Sequence, residues 1–202
     1  MARVLVACEF SGIVRDAFRK RGHDAWSCDL EPASESQYSQ FHLHQDVKGV
    51  LDQKWDIIIA HPPCTYLSNS GVCHLHTQEG RWERMNDGCD FFSLFLNLDC
   101  EKVCIENPIQ HRYARERIRK YDQIIQPYHF GHPESKAICL WLKGLPPLVH
   151  TNDVKAYMMT LPKKDRQRNH YMSPGKDRGK LRSIFFTGIA DAMAEQWGGQ
   201  NE

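Results

Sequence analysis

Short apolar runs alternate with helical patterns through the first half of the chain, the arrangement expected of a mostly parallel sheet with crossover helices. Val4-Leu5-Val6-Ala7-Cys8 predicts a buried strand, followed by a turn at Ser11-Gly12. Val14, Ala17 and Phe18 then recur at helical spacing until Gly22 stops the helix. Ala25-Trp26-Ser27-Cys28 predicts a second strand ending at Asp29, and Trp55 to Ala60 a third, stopped by His61-Pro62-Pro63. Phe91, Phe92, Phe95 and Leu98 mark one face of a helix that feeds a strand from Lys102 to Ile105.

Beyond Asn107 the pattern changes. Arg112 to Tyr121 predicts a charged, exposed helix. Ile124-Ile125 and Ile138 to Leu142 predict an antiparallel pair bracketing Gly131-His132-Pro133, closed by Leu145-Pro146-Pro147. The tail returns to a helix, Gly188 to Trp197, with Ile189, Ala192, Met193 and Trp197 on one side. With no repeat and no clean linker, residues 1–202 are expected to form a single α/β domain.

Composition narrows the class. A chain of 202 residues, 41% of them apolar, is large enough to bury a sizeable core, which excludes disorder, collagen-like repeats and coiled coils. It has no apolar run long enough to span a membrane, and the five apolar residues before Glu9 are too few for a secretory signal core. The eight cysteines include no C-x-x-C pair. Cys8, Cys28, Cys104 and Cys139 lie in apolar stretches, where a reduced thiol serves as a small hydrophobe, so a reduced, cytoplasmic protein is expected. Cys73-His74-Leu75-His76 reads as a polar loop, since zinc sites need four ligands at a recognisable spacing, and no metal is expected.

The formal net charge of +1 hides an asymmetry. Lys163 to Arg182 holds eight Lys/Arg against two Asp, while the remainder of the chain is net acidic. A basic segment on a mildly acidic body points to a phosphate-bearing partner.

Three strand ends converge on reactive or polar residues, and in open α/β sheets ligands bind beyond the carboxyl ends of the strands. Glu9-Phe10-Ser11-Gly12 follows the first strand, Asp29 follows the second with a carboxylate suited to ribose hydroxyls, and Asp46 is placed for an adenine amine or for a helix N-cap. The most informative stretch is His61-Pro62-Pro63-Cys64-Thr65-Tyr66-Leu67-Ser68-Asn69-Ser70-Gly71. Two prolines fix the backbone after a strand and present Cys64 rigidly, as a nucleophile requires. Glu106-Asn107-Pro108 ends the next strand, where a carboxylic acid is placed to protonate a substrate as a thiolate adds.

These residues resemble a DNA cytosine-5 methyltransferase. Pro63-Cys64, followed by Ser68, Ser70 and Gly71, resembles the family's Pro-Cys motif, and Glu106-Asn107 its Glu-Asn motif, with Pro108 where the family usually has Val. Phe10-Ser11-Gly12 resembles the start of its S-adenosylmethionine loop without the further glycines, and Asp29 and Asp46 fall where it places ribose and adenine acids. Phe130-Gly131-His132-Pro133-Glu134-Ser135-Lys136 resembles its Phe-Gly-x-Pro-Gln-x-Arg motif, with Glu for Gln and Lys for Arg. The closing helix, Gly188 to Trp197, also has a counterpart in the family.

The resemblance implies a Rossmann-like methyltransferase fold and S-adenosylmethionine as cofactor, held by Phe10, Ser11, Gly12, Asp29, Asp46 and Pro62. Cys64, Glu106 and Asn107 would be catalytic: the Cys64 thiolate adds to carbon-6 of cytosine while Glu106 protonates nitrogen-3. Pro63, Ser68, Ser70, Lys136, Arg166, Arg168, Arg178 and Arg182 would bind substrate, with Tyr157, His170 and Tyr171 placed to stack a base.

Only Val149 to Leu181 stands where family members carry a full recognition domain, and the resemblance to short, phage-type members of the family implies a virus or prophage origin. The expected substrate is therefore cytosine in DNA, single-stranded or flipped, read with little sequence specificity and encountered in a bacterial or phage-infected cell. Competing readings are a methyltransferase of free cytidine nucleotides such as dCMP, an amino-group methyltransferase, and a degenerate fold that binds nucleic acid or protein. Against the amino-group reading, His61 and Cys64 replace the acid and the aromatic ring of an Asp-Pro-Pro-Tyr motif.

Overall fold

The computed structural model describes residues 1–199. It is α/β, with seven strands in the order β3-β2-β1-β4-β5-β7-β6. These are β1 (Arg3–Ala7), β2 (Asp24–Asp29), β3 (His42–His44), β4 (Ile57–Ala60), β5 (Lys102–Asn107), β6 (Gln123–Ile125) and β7 (Ile138–Lys143). β1 to β5 pair in parallel, and β7 is inserted antiparallel between β5 and β6. The mostly parallel sheet with an antiparallel pair on its C-terminal side is the architecture expected of a Rossmann-like fold. No helix among the described residues is long and apolar enough to cross a membrane.

The strand runs are apolar on both faces because both faces are covered, as parallel sheets require. Successive residues point to opposite sides. Val4, Val6, Ile57 and Ile59 pack beneath α1 (Ile13–Lys20) and α8 (Thr187–Trp197), together with Ile138 and Leu140. Leu5, Ala7, Ile58, Ala60, Val103 and Ile105 face the other way, onto Met85, Cys89, Phe92 and Phe95 of α2 (Arg81–Leu96). Chain order reverses between β1 and β4, so a crevice opens above their carboxyl ends.

Several sequence expectations are corrected here. The helix expected from Arg112 to Tyr121 is a single turn, α3 (Arg112–Arg115). Ile118 is then fully buried, and the Arg119 carbonyl accepts the Trp141 Nε1–H at 2.7 Å, which pulls the chain out of helical register. β3 was not expected at all; His-Leu-His is too short to show a period. The Cys73–His76 stretch belongs to a 3-10 segment, Asn69–His76, anchored by buried Leu75. Cys8 does not complete its strand: it follows Ala7 at φ 58°, half-buried beside the crevice instead of in the core. All eight thiols are free. The basic stretch folds as short helices, α4 (Lys155–Thr160), α5 (Lys163–Arg166), α6 (Arg168–Tyr171) and α7 (Arg178–Ser183).

The glycines show where the packing is tight. A Cβ on Gly188, in the first turn of α8, would sit 2.0 Å from the Phe130 carbonyl oxygen, whereas one on Gly179 in α7 would meet nothing within 4 Å. Gly188→Ala should therefore lower stability by about 1–3 kcal/mol in urea unfolding. Gly179→Ala should leave it unchanged or raise it by up to ~1 kcal/mol. Equal effects at the two positions would contradict the packing of α8 against the loop after β6.

Candidate functional site

A cavity of about 1290 Å³ lies over the carboxyl ends of β2, β1, β4 and β5. Single-ligand sites run to roughly 1,000 Å³, so there is room for two molecules. One end is walled by Cys8, Glu9, Phe10, Ser11, Asp29, Glu31 and Asp46, the other by Cys64, Ser68, Ser70, Glu106 and Lys136, with Lys176, Lys180 and Arg182 along the basic side.

Cys64 stands where the sequence leads. Parallel pairing of β4 with β5 matches Ala60 to Ile105, which sets His61 beside Glu106. Pro62 and Pro63 then turn the chain, and the Cys64 carbonyl accepts from the Leu67 and Ser68 amides, both at 3.0 Å. The loop is tied to the one following β5. Asn107 Nδ2 donates to the Pro62 carbonyl at 2.8 Å, and His111 N–H to the Leu67 carbonyl at 2.9 Å. Asn107, 1% exposed, therefore positions the loop, and it also lines the cavity. Ser68 and Ser70 share a 3.0 Å hydrogen bond at the cavity wall.

His61 is the cavity residue that the sequence hid. Its Nδ1–H donates to Glu106 Oε2 at 3.2 Å, its ring lies 4.9 Å from that of Phe185, and its buried Nε2 has no partner among the described residues. Burial alone would raise the Glu106 carboxyl, but the hydrogen bond and charge of His61, helped by Lys136, outweigh it and hold the carboxyl below its ordinary value. The Cys64 thiol is pushed up by burial and by the charge on Glu106, against the pull of Lys136 and Arg182. Cys64, Glu106, His61 and Lys136 thus form one coupled group. Only across-strand register brings them together.

The opposite end is acidic and pre-paired. Glu9, 4% exposed, caps α1, accepting the Val14 amide at 2.7 Å and the Arg15 amide at 3.3 Å. Burial raises its carboxyl, opposed by His61 and by those amides. Asp29 Oδ1 accepts the Glu31 amide and Asp46 Oδ1 the Lys48 amide, both at 2.9 Å, which leaves the second oxygen of each without a protein hydrogen bond among the described residues. Phe10, Ser11 and Pro62, which the resemblance assigns to the cofactor, line the cavity. Gly12 does not: it is the α1 N-cap at φ 72°, and a Cβ there would overlap the Arg15 guanidinium.

The basic segment divides. Lys136 and Arg182 line the cavity, and Lys136 Nζ donates to the Arg182 carbonyl at 3.3 Å. Arg166, Arg168 and Arg178 do not line it. Arg168 pairs with Glu134 at 2.9 Å, Arg178 Nε donates to the Met172 carbonyl, and Arg166 reaches the Met159 sulfur. Of the expected base stackers, only His170 reaches the wall. Lys180, a member of the basic run expected to grip phosphates, lies 4.8 Å over the Phe10 ring and pairs with Glu31 at 3.3 Å.

Elsewhere, His129, His150 and Asp153 bring three ligand atoms within 4.8 Å of one another. The two rings stack 3.6 Å apart and nearly parallel, so their lone pairs run side by side, and the Gln126 amide already donates to His129 Nδ1. That is a packed pair more than a converging ligand set.

A comparison with protein-family models finds none that matches the sequence, and a search of curated proteins finds no similar sequence.

The coupling makes a prediction with a definite sign. Glu106→Gln removes the negative charge that raises the Cys64 thiol, so alkylation of Cys64 by iodoacetamide at pH 8 should accelerate. Lys136→Met should slow it. Peptide-resolved mass spectrometry separates Cys64 from exposed Cys73. The reverse order of rates would show that Glu106 and Lys136 do not set the thiol's charge.

Proposed function

We propose that the protein is an S-adenosylmethionine-dependent cytosine carbon-5 methyltransferase acting on DNA. One observation carries the reading: Cys64 and Glu106, at the tops of adjacent parallel strands, face one cavity and are electrostatically coupled there. The resemblance of Pro63-Cys64 and Glu106-Asn107 to the family's two motifs supports it.

The charge of the cavity fits the two ligands. At the end holding Asp29 and Asp46, two carboxylate oxygens remain for ribose hydroxyls and an amine, and the surrounding acids suit a cationic sulfonium. The α1 amides that would hold a phosphate are taken by Glu9, which disfavours a dinucleotide. When bound, S-adenosylmethionine would supply the electrophilic methyl group that carbon-5 of the substrate takes up.

At the other end the chain's own residues handle the ring. The Cys64 sulfur bonds to carbon-6, and nitrogen-3 gains a proton, so that negative charge does not build up on the pyrimidine. His61 and Lys136 favour the charged form of Glu106, and burial and the Glu106 charge favour the protonated form of the Cys64 thiol. The proton that leaves the thiol is the one that nitrogen-3 gains, relayed by the Glu106–His61 pair, which keeps the balance closed without a proton from solvent. After methylation a base takes the carbon-5 proton, the bond from carbon-6 to the Cys64 sulfur breaks, and the nitrogen-3 proton returns through Glu106 to the thiolate. Asn107 Oδ1 and His61 Nε2, buried without partners among the described residues, are left to hydrogen-bond the ligands.

Lys136, Lys176 and Arg182 would also hold a single phosphate, which makes a free cytidine nucleotide the competing substrate. DNA binding should weaken steeply with salt, and dCMP methylation should not.

With S-adenosylmethionine, the protein should form a covalent adduct with DNA containing 5-fluorocytosine, seen as a mass shift on the Cys64 peptide. Cys64→Ser should form none, and Glu106→Gln should form it about 10²–10⁴-fold more slowly. A folded wild-type protein that yields no adduct with DNA or with the fluorinated nucleotide would overturn the reading.

A further inference from the structure

The cavity wall continues onto an exposed aromatic surface that no step above uses. The Asn69–His76 segment runs along the wall with Ser70 and His74 and delivers His76 to two further rings outside it. His76, Trp82 and Tyr113 meet edge to face, with centroids 5.5 Å apart for His76–Trp82, 5.7 Å for His76–Tyr113 and 4.8 Å for Trp82–Tyr113. Trp82 remains 39% exposed, although α2 already fills the core with Met85, Cys89, Phe92 and Phe95.

Guanidinium groups border these rings. Arg112 lies 4.4 Å over Tyr113 and hydrogen-bonds its hydroxyl, leaving its outer face to solvent. Arg81 stacks 4.5 Å over Tyr66 and donates to the carbonyl of Thr65, the residue after Cys64, so it links the ring cluster to the nucleophile's loop. Its buried Nε has no partner among the described residues. Neither Arg81, Arg112 nor exposed Arg115 has an ion pair among the described residues, although the neighbouring Arg117 and Arg119 are both paired with aspartates.

We propose that this surface binds single-stranded DNA, carrying nucleotides that flank the one in the cavity. Bases stack on Trp82 and on the Arg112–Tyr113 stack, while Arg115 meets phosphates. Stacking requires exposed base faces, which a duplex hides and a single strand offers, and planar guanidiniums beside aromatic rings are the combination that holds such strands. The inference rests on the reading that the substrate is nucleic acid, and it assigns the grip to a different surface from the basic segment.

Fluorescein-labelled oligo(dT) tests it, because the probe contains no cytosine and binds without the chemistry at Cys64. Trp82→Ala should weaken binding roughly 5- to 100-fold by anisotropy. Arg112→Ala should weaken it and flatten the salt dependence. Arg115→Glu, outside the ring cluster, should weaken it with no loss of thermal stability, which guards against a folding artefact in the other two. Binding of dCMP should be unchanged in all three.

The proposal is overturned if wild-type protein does not bind oligo(dT), if the variants bind it as wild type does, or if an A·T duplex loses as much affinity as the single strand. The two readings fail separately. Weakened oligo(dT) binding in the variants, with no fluorocytosine adduct in wild type, keeps the surface and removes the methyltransferase. An adduct with unchanged oligo(dT) binding does the reverse.

Discussion

The candidate site depends on one hydrogen bond between neighbouring strand tops, Asn107 Nδ2 to the Pro62 carbonyl. Proline cannot donate to a ladder, so the His61-Pro62-Pro63 exit from β4 has few ways to fix itself to the sheet. Asn107 supplies the missing tie from β5, and the pairing of Asn69 and His111 with the facing loops extends it. A buried carbonyl that lost this donor would cost about 1–3 kcal/mol. The same bond that stabilises the loop therefore fixes the direction in which Cys64 faces. Register does the rest, because parallel pairing of Ala60 with Ile105 places His61 and Glu106 side by side with no further adjustment.

Much of this was legible in the sequence where burial is continuous. The runs at Val4, Ile57 and Val103 are apolar on both faces, so they could only be covered strands, and the polar residues that end them had to lie at one edge of the sheet. Cys64 and Glu106 were found that way. What was not legible depends on partners distant in sequence. His61 looked like a break before two prolines, and its role exists only across 45 residues, opposite Glu106. Asn107 stands beside Glu106 in sequence, and its tie to the Pro62 carbonyl likewise spans 45 residues.

The segment from Arg112 to Tyr121 failed for a related reason. Its four arginines suggested an exposed helix, but Ile118 and the Trp141 indole compete for the same backbone, and burial prevails over propensity. In the basic stretch, charge identified the segment and could not sort its members. Arg168 is consumed by Glu134, while Lys180, no different in sequence, crosses to Glu31 and the Phe10 ring.

The altered loop after β1 follows from the same logic of internal partners. A glycine-rich turn leaves helix amides open to an anion. Here Glu9 fills that position itself, with its carboxyl raised by burial and restrained by the Val14 and Arg15 amides. An anion at the α1 N-terminus would have to displace a buried carboxylate from its own hydrogen bonds. A ligand without phosphate at that point needs no such exchange. The departure from a glycine cradle thus narrows what this end of the cavity accepts, and Asp29 and Asp46, each with an oxygen to spare, narrow it further toward a group that donates hydrogen bonds.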